Sequence, residues 1–439
     1  MRNVLNAIVG KIREGKVIFH LARFLMLLFF LSAFSVTAQQ QRFPRPEFES
    51  GYQQPSVHMP EARAQVMEYL DVAVLAGFLV LGTWLMIKRR SRRGMMWLGI
   101  GAIAYFGFFR KGCICPIGAV QNVTLSFFDP TYAVSIVILL FFILPLIVTL
   151  FYGRIFCGGV CPLGALQDAV IVKPISLPKW LNKTLGLIPV IFLTLAVLFA
   201  ATGTDFIICR YDPFIGIFRM DGMFLMIALG VSFLLLGMFI GRPYCRFLCP
   251  YGVLLGWMSR FSSRHVTISP SKCISCKLCV KSCPFDAIDY PTNEKEVVKS
   301  GLGPKRFIFF AVLIPVWVAL GVFVGAKAHT FLSKAHKDVY LAELMISRPE
   351  VTEDPDNLDV QTFLKSGKTM DTLVAEAEVI RGKFYTGSMI AGGFIGLVIG
   401  MTLLNSVVFR RNQDYVPDKA NCFSCGRCMD YCPVDRDKK

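Results

Sequence analysis

Charge and histidine are scarce in this sequence. Of 439 residues, 18% are Asp, Glu, Lys or Arg, five are histidine and 54% are hydrophobic, with a mean hydropathy of +0.54. A soluble globular chain is excluded, because it would need an unusually long series of all-apolar buried helices. Cys-x-x-Cys-His does not occur, which argues against covalent c-type haem. Acidic residues are the scarcer charge, 30 against 47 Lys and Arg, for a formal net charge of +17. That balance invites a nucleic-acid partner until its distribution is followed along the chain.

Apolar stretches of near-spanning length recur at 67–87, 95–109, 132–152, 184–201, 222–240, 307–326 and 388–409. Roughly 20 apolar residues cross a hydrocarbon core of about 30 Å, and 95–109 is short for that task. With residue 67 starting outside, segments 1–16, 88–94, 153–183, 241–306 and 410–439 fall inside and sum to +20. Segments 39–66, 110–131, 203–221 and 327–387 fall outside and sum to −2. This is the positive-inside distribution, so the basicity reports orientation and no nucleic-acid partner is expected. Residues 1–38 combine a basic start, an apolar stretch from Leu21 to Phe34 and Val36-Thr37-Ala38 before Gln39. They read as a secretory signal peptide, or as an N-terminal anchor if uncleaved. The expectation is an all-α polytopic protein of a bacterial cytoplasmic (inner) membrane, with about seven transmembrane helices after the signal peptide.

Two cysteine runs carry the most specific chemistry. Cys273, Cys276, Cys279 and Cys283 precede Pro284, and Cys422, Cys425, Cys428 and Cys432 precede Pro433, both at 2, 2 and 3 spacing. This is the bacterial ferredoxin pattern for 4Fe–4S clusters, in which the fourth cysteine of each run ligates the other run's cluster. Interleaving would put Cys432 with Cys273, Cys276 and Cys279, and Cys283 with Cys422, Cys425 and Cys428; the alternative is that each run keeps its own four. The 138 intervening residues hold two spanning stretches, an even number, so both halves are expected in the cytoplasm. The fold expected is thus a helical membrane protein whose small two-cluster ferredoxin unit is split by a transmembrane hairpin.

A second cysteine pattern repeats three times, each copy ending in Cys-Pro-x-Gly: Lys111 to Ala119, Gly153 to Ala165 and Gly241 to Gly252. Proline suits a first helical turn, so Cys161 and Cys249 are expected at helix N-termini, where the dipole favours thiolate. Cys157, Cys161, Cys245 and Cys249, all read as inner, are candidates for a third metal centre or a redox thiol pair; buried structural thiols are the plainer reading. Cys113, Cys115 and Cys209 are read as outer, and offer either an incomplete metal set or a disulfide from Cys209 to one of the other two. Asp71 is a candidate proton or quinone contact. His329 and His336 are candidates for haem, metal or quinone, or for a hydrated helix face.

The organisation expected is a signal or anchor (1–38), an outer arm (39–66) and a five-helix core bearing the Cys-Pro repeats (67–264). The first ferredoxin half (265–306), a transmembrane helix (307–326) and an outer segment (327–387) follow. A second helix (388–409) returns the chain to the second ferredoxin half (410–439). Gly321 and Gly325 on one hairpin helix, and Gly392, Gly396 and Gly400 on the other, have small-xxx-small spacing that permits close packing.

With these motifs the chain resembles membrane iron–sulfur proteins of the NosR, NapH and PceC type. Phe106 to Asn122 and the segment around Tyr340-Leu341-Ala342-Glu343 look most like the NosR and PceC branch, and the resemblance covers residues 67–439. It implies two 4Fe–4S clusters, a quinone as a possible cofactor, and service to a periplasmic respiratory reductase, electron carrier or flavoprotein. NosR and PceC carry an outer FMN domain before the membrane core. Residues 39–66 are too few for one, so no in-chain FMN domain is expected. The leading reading is electron transfer between a cytoplasmic donor or quinol and a periplasmic reductase system, as an electron-transfer component or quinol dehydrogenase subunit. The alternative is an assembly, maturation or regulatory factor for a periplasmic metalloenzyme.

Overall fold

A computed structural model describes residues 64–112, 115–220, 224–268, 273–292, 303–348, 357–407 and 412–436. The signal reading of 1–38, most of the outer arm, and Cys113 lie outside these residues. The fold is mostly helical. Among the described residues four helices are long and apolar enough to cross a membrane: Gln65–Ile87, Trp180–Ala201, Arg306–Ser333 and Met370–Ser406. Ile136–Tyr152 and Met226–Gly237 are apolar but shorter. The stretch 95–109 changes character midway, passing from α-helix at Arg92–Ala102 to π-helix at Ile103–Phe109.

Helices are numbered here in chain order: α1 (Gln65–Ile87), α2 (Arg92–Ala102), α3 (Pro116–Phe128), α4 (Ile136–Tyr152), α5 (Pro162–Ala169), α6 (Ile188–Ala201), α7 (Phe224–Gly237) and α8 (Pro250–Ser259). Three of them, α3, α5 and α8, begin with the proline of a Cys-Pro copy and take its cysteine as N-cap. Proline's fixed φ suits the first turn, and its missing N–H would have no partner there. Each Cys-Pro copy therefore starts a short helix directed away from its loop. Phe141, Ile155, Phe156, Tyr244 and Tyr251 pack around these loops, and the same apolar core continues into Phe285 and Phe423 of the ferredoxin halves.

Two long helices, α9 (Gly303–Ser333) and α12 (Met370–Val407), form the hairpin. Their backbones touch: a Cβ on Gly392 would run into the Gly321 carbonyl, and one on Gly325 into the Ser388 carbonyl. Between them α10 (Lys337–Ser347), α11 (Leu358–Lys365) and the first turns of α12 bury Val339, Val360, Phe363 and Leu373 in a separate small core. Beyond the hairpin, β1 (Ile288–Asp289) pairs antiparallel with β2 (Val416–Pro417), Ile288 opposite Pro417. The Asp418 amide donates to the Ala287 carbonyl at 2.7 Å. The two ferredoxin halves thus form one unit.

Candidate iron–sulfur and thiol sites

The two ferredoxin runs bend alike. Ser275 and Lys277 in the first, and Ser424 and Gly426 in the second, take positive φ just before the short helices that carry the third cysteine. Successive left-handed turns point backbone N–H groups into a concavity suited to an anion. Cys273, Cys276 and Cys279 line one cavity together with Cys428 and Cys432, closed by Ile268 and Tyr415. On the other side Cys283 lies within electrostatic reach of Cys425, Cys422 and Cys428. Cys432 thus lines the first run's cavity, as Cys428 does, and Cys283 lies near the second run's thiols while still packing beside Cys273 and Cys279.

Burial pushes the Cys422 thiol up to about 12 and raises Cys283 and Cys428 too; iron ligation would hold them as thiolates. Among the described residues no three His, Cys, Asp or Glu side chains converge on a point sized for one ion. The 2, 2 and 3 spacing followed by proline, with five of these thiols lining one cavity, fits 4Fe–4S clusters better than a four-cysteine zinc site.

The second and third Cys-Pro copies clamp each other. Gly164, in Cys161-Pro-Leu-Gly, faces the Cys157 carbonyl and the Arg242 guanidinium of the third copy; a Cβ there would lie 2.9 Å and 3.3 Å from them. Gly252, in Cys249-Pro-Tyr-Gly, faces the Cys245 carbonyl and Arg154 of the second copy at 3.1 Å and 3.3 Å. The glycine of each copy makes room for the other copy's arginine. Cys157, Cys161, Cys245 and Cys249 are all buried within this clamp. Gln167 donates to the Cys245 sulfur at 3.3 Å and accepts from the Tyr244 amide at 3.1 Å. Cys161 and Cys249 do cap helices, but burial outweighs the dipole and raises both thiols, with Cys245 and Cys157 adding to the effect.

The clamp is also the seat of the ferredoxin. Arg154 donates to the Ala420 carbonyl at 2.9 Å, lies 4.1 Å from the Phe423 ring centre and sits 3.9 Å from the Cys157 sulfur. Arg242 bonds the carbonyls of Cys157 and Gly158 and lies over Phe285 at 5.6 Å. Phe285, just after the first run, and Phe423, inside the second, pack against each other at 4.7 Å. Asp168 gathers three guanidiniums: it bonds Arg92 and pairs with Arg242 and Arg427, each at 3.5 Å. Arg92 also donates to the Cys425 carbonyl at 3.0 Å.

Asp168 escaped the sequence reading, although it is the lone acid in the inner segment 153–183. Asp71 is fully buried; Tyr105 donates to one of its oxygens at 2.7 Å and Arg110 pairs with the other at 3.0 Å. His336 caps α10 and His329 packs edge-on against Tyr385, so the structure gives both local roles.

Cys115, read as outer, comes close to the second and third copies, both read as inner. It shares a cavity with Cys161, Asp212, Phe156 and Phe218, and lies within electrostatic reach of Cys161 and Cys249. On its other side it is within reach of the exposed Cys209.

Three family profiles, each described as a 4Fe-4S binding domain, match this chain at residues 134–187 with 222–269, at 266–289 and at 419–435. The first spans Cys157, Cys161, Cys245 and Cys249. YccM of Escherichia coli, named for electron transport, is 28% identical over 190 residues, 38% of this chain and 52% of its own. Protein NirI of Paracoccus denitrificans is 30% identical over 244 residues, 50% of this chain and 36% of its own. Regulatory protein NosR of Stutzerimonas stutzeri is 23% identical over 215 residues, 46% of this chain and 29% of its own. The matches thus cover about half the length of the first of these relatives and less of the other two. No solved structure gives a significant match.

Fold, cysteine runs and profiles together define a ferredoxin-type membrane protein with several 4Fe–4S binding domains. Within that class, its similarity is to the NosR/NapH-type membrane polyferredoxins, with NirI and NosR among the matching relatives.

Proposed function

We propose that this protein delivers electrons from a cytoplasmic donor or quinol to a periplasmic respiratory reductase system. The observation that carries the reading is the seat of the ferredoxin unit on the two inner Cys-Pro loops. Arg154 touches both Cys157 and the Phe423 ring, so a core thiol and the second ferredoxin run meet at one guanidinium. Two 4Fe–4S clusters would be held by Cys273, Cys276, Cys279 and Cys432, and by Cys422, Cys425, Cys428 and Cys283; bound there, they supply one-electron chemistry. Phe285, Phe423 and the arginines exclude water from the junction and fix its spacing. Cys157, Cys161, Cys245 and Cys249 would hold a third centre. The orientation proposed has seven crossings, with both ferredoxin halves in the cytoplasm of an inner membrane.

Anaerobic purification in detergent, with iron counting and redox-monitored EPR, tests this. The expected result is two low-potential cluster signals that disappear when a quinone or an outer acceptor is added. Reduced clusters that pass electrons to neither would overturn the relay. The regulatory name of the NosR relative favours a second reading, in which the protein supports maturation or control of a periplasmic metalloenzyme. A strain lacking this chain separates the two: under the relay the outer reductase is fully metallated but starved of electrons, and under the second reading it lacks metal.

A further inference from the structure

The first Cys-Pro copy has no part in the ferredoxin seat, yet it is built into the protein as carefully as the other two. Gln121, fully buried on α3, holds the turn that carries Cys209: its side-chain oxygen accepts from the Ile208 amide at 2.9 Å, and its nitrogen donates to the Asp205 carbonyl at 3.4 Å. The Cys209 sulfur then lies over the first turn of α3, where a Cβ on Gly118 would stand 2.9 Å from it. Cys115 caps that same helix three residues earlier. One thiol of this pair is exposed, and the other faces a cavity shared with Cys161. From the Arg154 junction, thiols therefore follow one another through Cys157 and Cys245, Cys161 and Cys249, and Cys115, and end at the surface on Cys209.

Resting on the relay reading above, we propose that Cys115 and Cys209 form a thiol–disulfide couple at its outer end, whose substrate is a disulfide of a protein on the outer face. In the reduced couple, the exposed Cys209 thiolate attacks the partner's disulfide, forms a mixed disulfide and expels one partner thiol. Cys115 then attacks the Cys209 sulfur, releases the second partner thiol and closes the Cys115–Cys209 bond. Two electrons arriving singly from the relay, with two protons, cleave that bond and restore both thiols. Asp212, buried in the cavity beside Cys115, is placed to pass one of those protons.

Inverted vesicles containing the full chain, which expose the ferredoxin side, are oxidised anaerobically with diamide, acid-quenched, alkylated and mapped by peptide mass spectrometry. A Cys115–Cys209 cross-link is expected. Dithionite added outside these vesicles should remove it about tenfold faster in wild type than in Cys422→Ser. In right-side-out vesicles given oxidised glutathione, Cys115→Ser should accumulate glutathione on Cys209, because the resolving thiol is gone. Cys209→Ser, at an exposed position, should abolish that adduct and leave both cluster EPR signals unchanged. A cross-link from Cys209 to Cys113 overturns the proposal, as does a Cys115–Cys209 bond that persists while the clusters are reduced. If that bond persists but quinone still re-oxidises the clusters, the relay stands and this inference alone falls; clusters that exchange with nothing remove both.

Discussion

Asp168 sits where three cations would otherwise face one another. Burial opposes its charge, but Arg242, then Arg92 and Arg427, outweigh that and hold its carboxyl below the ordinary range. The folded-state pKa is depressed, so this contribution to stability is complete above the unfolded carboxyl value of about 3.9. It is lost as pH falls through the lower folded value. Asp168→Asn removes the anion and leaves Arg92, Arg242 and Arg427 buried together. Breaking a buried ion pair from one side costs about 3–5 kcal/mol, so this variant should melt earlier and exchange amide hydrogens faster across 416–425. Unchanged protection there would show that the ferredoxin is held by other contacts. Gly158 makes a related prediction by shape. A Cβ at this position would lie 2.8 Å from the carbonyls of both Phe423 and Ser424. Gly158→Ala should lift the second run off the core and strip iron from the Cys422–Cys428 site before the Cys273–Cys279 site, as followed by EPR.

The hairpin shows what was legible at the level of whole elements. Its glycines could be read from their spacing, and the structure packs Gly321 against Gly392 and Gly396 against Trp317 with no side chain between the backbones. Gly392→Val places two methyl groups where the Gly321 carbonyl stands. Overpacking of this kind costs roughly 1–3 kcal/mol or more. The expected outcome is separation of α9 from α12 and loss of the β1–β2 pairing, measured as faster exchange at Ile288 and Val416. Retained protection at both positions would mean that the ferredoxin unit holds itself together without the hairpin. The helix starts at Cys161 and Cys249 were legible too, because proline marks a first turn. The cross-clamp was not: it joins Arg154 to Gly252 across 98 positions and Arg242 to Gly164 across 78, and no local pattern encodes such a partner. Nor did apolar length reveal that 95–109 ends in a π-helix, or that Cys115 reaches Cys161, because sidedness assigned from loop charge says nothing about how far a loop dips toward the bundle's centre.

At the scale of the molecule, the chain leaves the core after the first ferredoxin half, makes the hairpin and returns to lay its second half against the core beside Pro284 and Phe285 at the end of the first run. The second run faces inward: Arg92 bonds the Cys425 carbonyl, Arg154 bonds Ala420, and Ser259 donates to the Lys419 carbonyl at 2.6 Å. The first run faces outward, with Cys276 exposed and Cys273 half-buried. A soluble donor would therefore meet the Cys273–Cys279 site first, while the Cys422–Cys428 site lies against the thiols of the core. In the interleaved scheme the fourth cysteines would tie these two sites together across the hairpin. Cys432 lines the first run's cavity although 148 positions separate it from Pro284. Cys432→Ser should accordingly damage the outward site and leave Cys422, Cys425, Cys428 and Cys283 with their cluster. By EPR and iron counting, about half the iron of two four-iron clusters should be lost, together with the signal that responds first to a soluble reductant. The mirror variant, Cys283→Ser, should spare that signal and remove the one nearer Arg154. If each substitution instead damages only its own run, the two halves dock without exchanging ligands, and the hairpin would serve to position two complete sites.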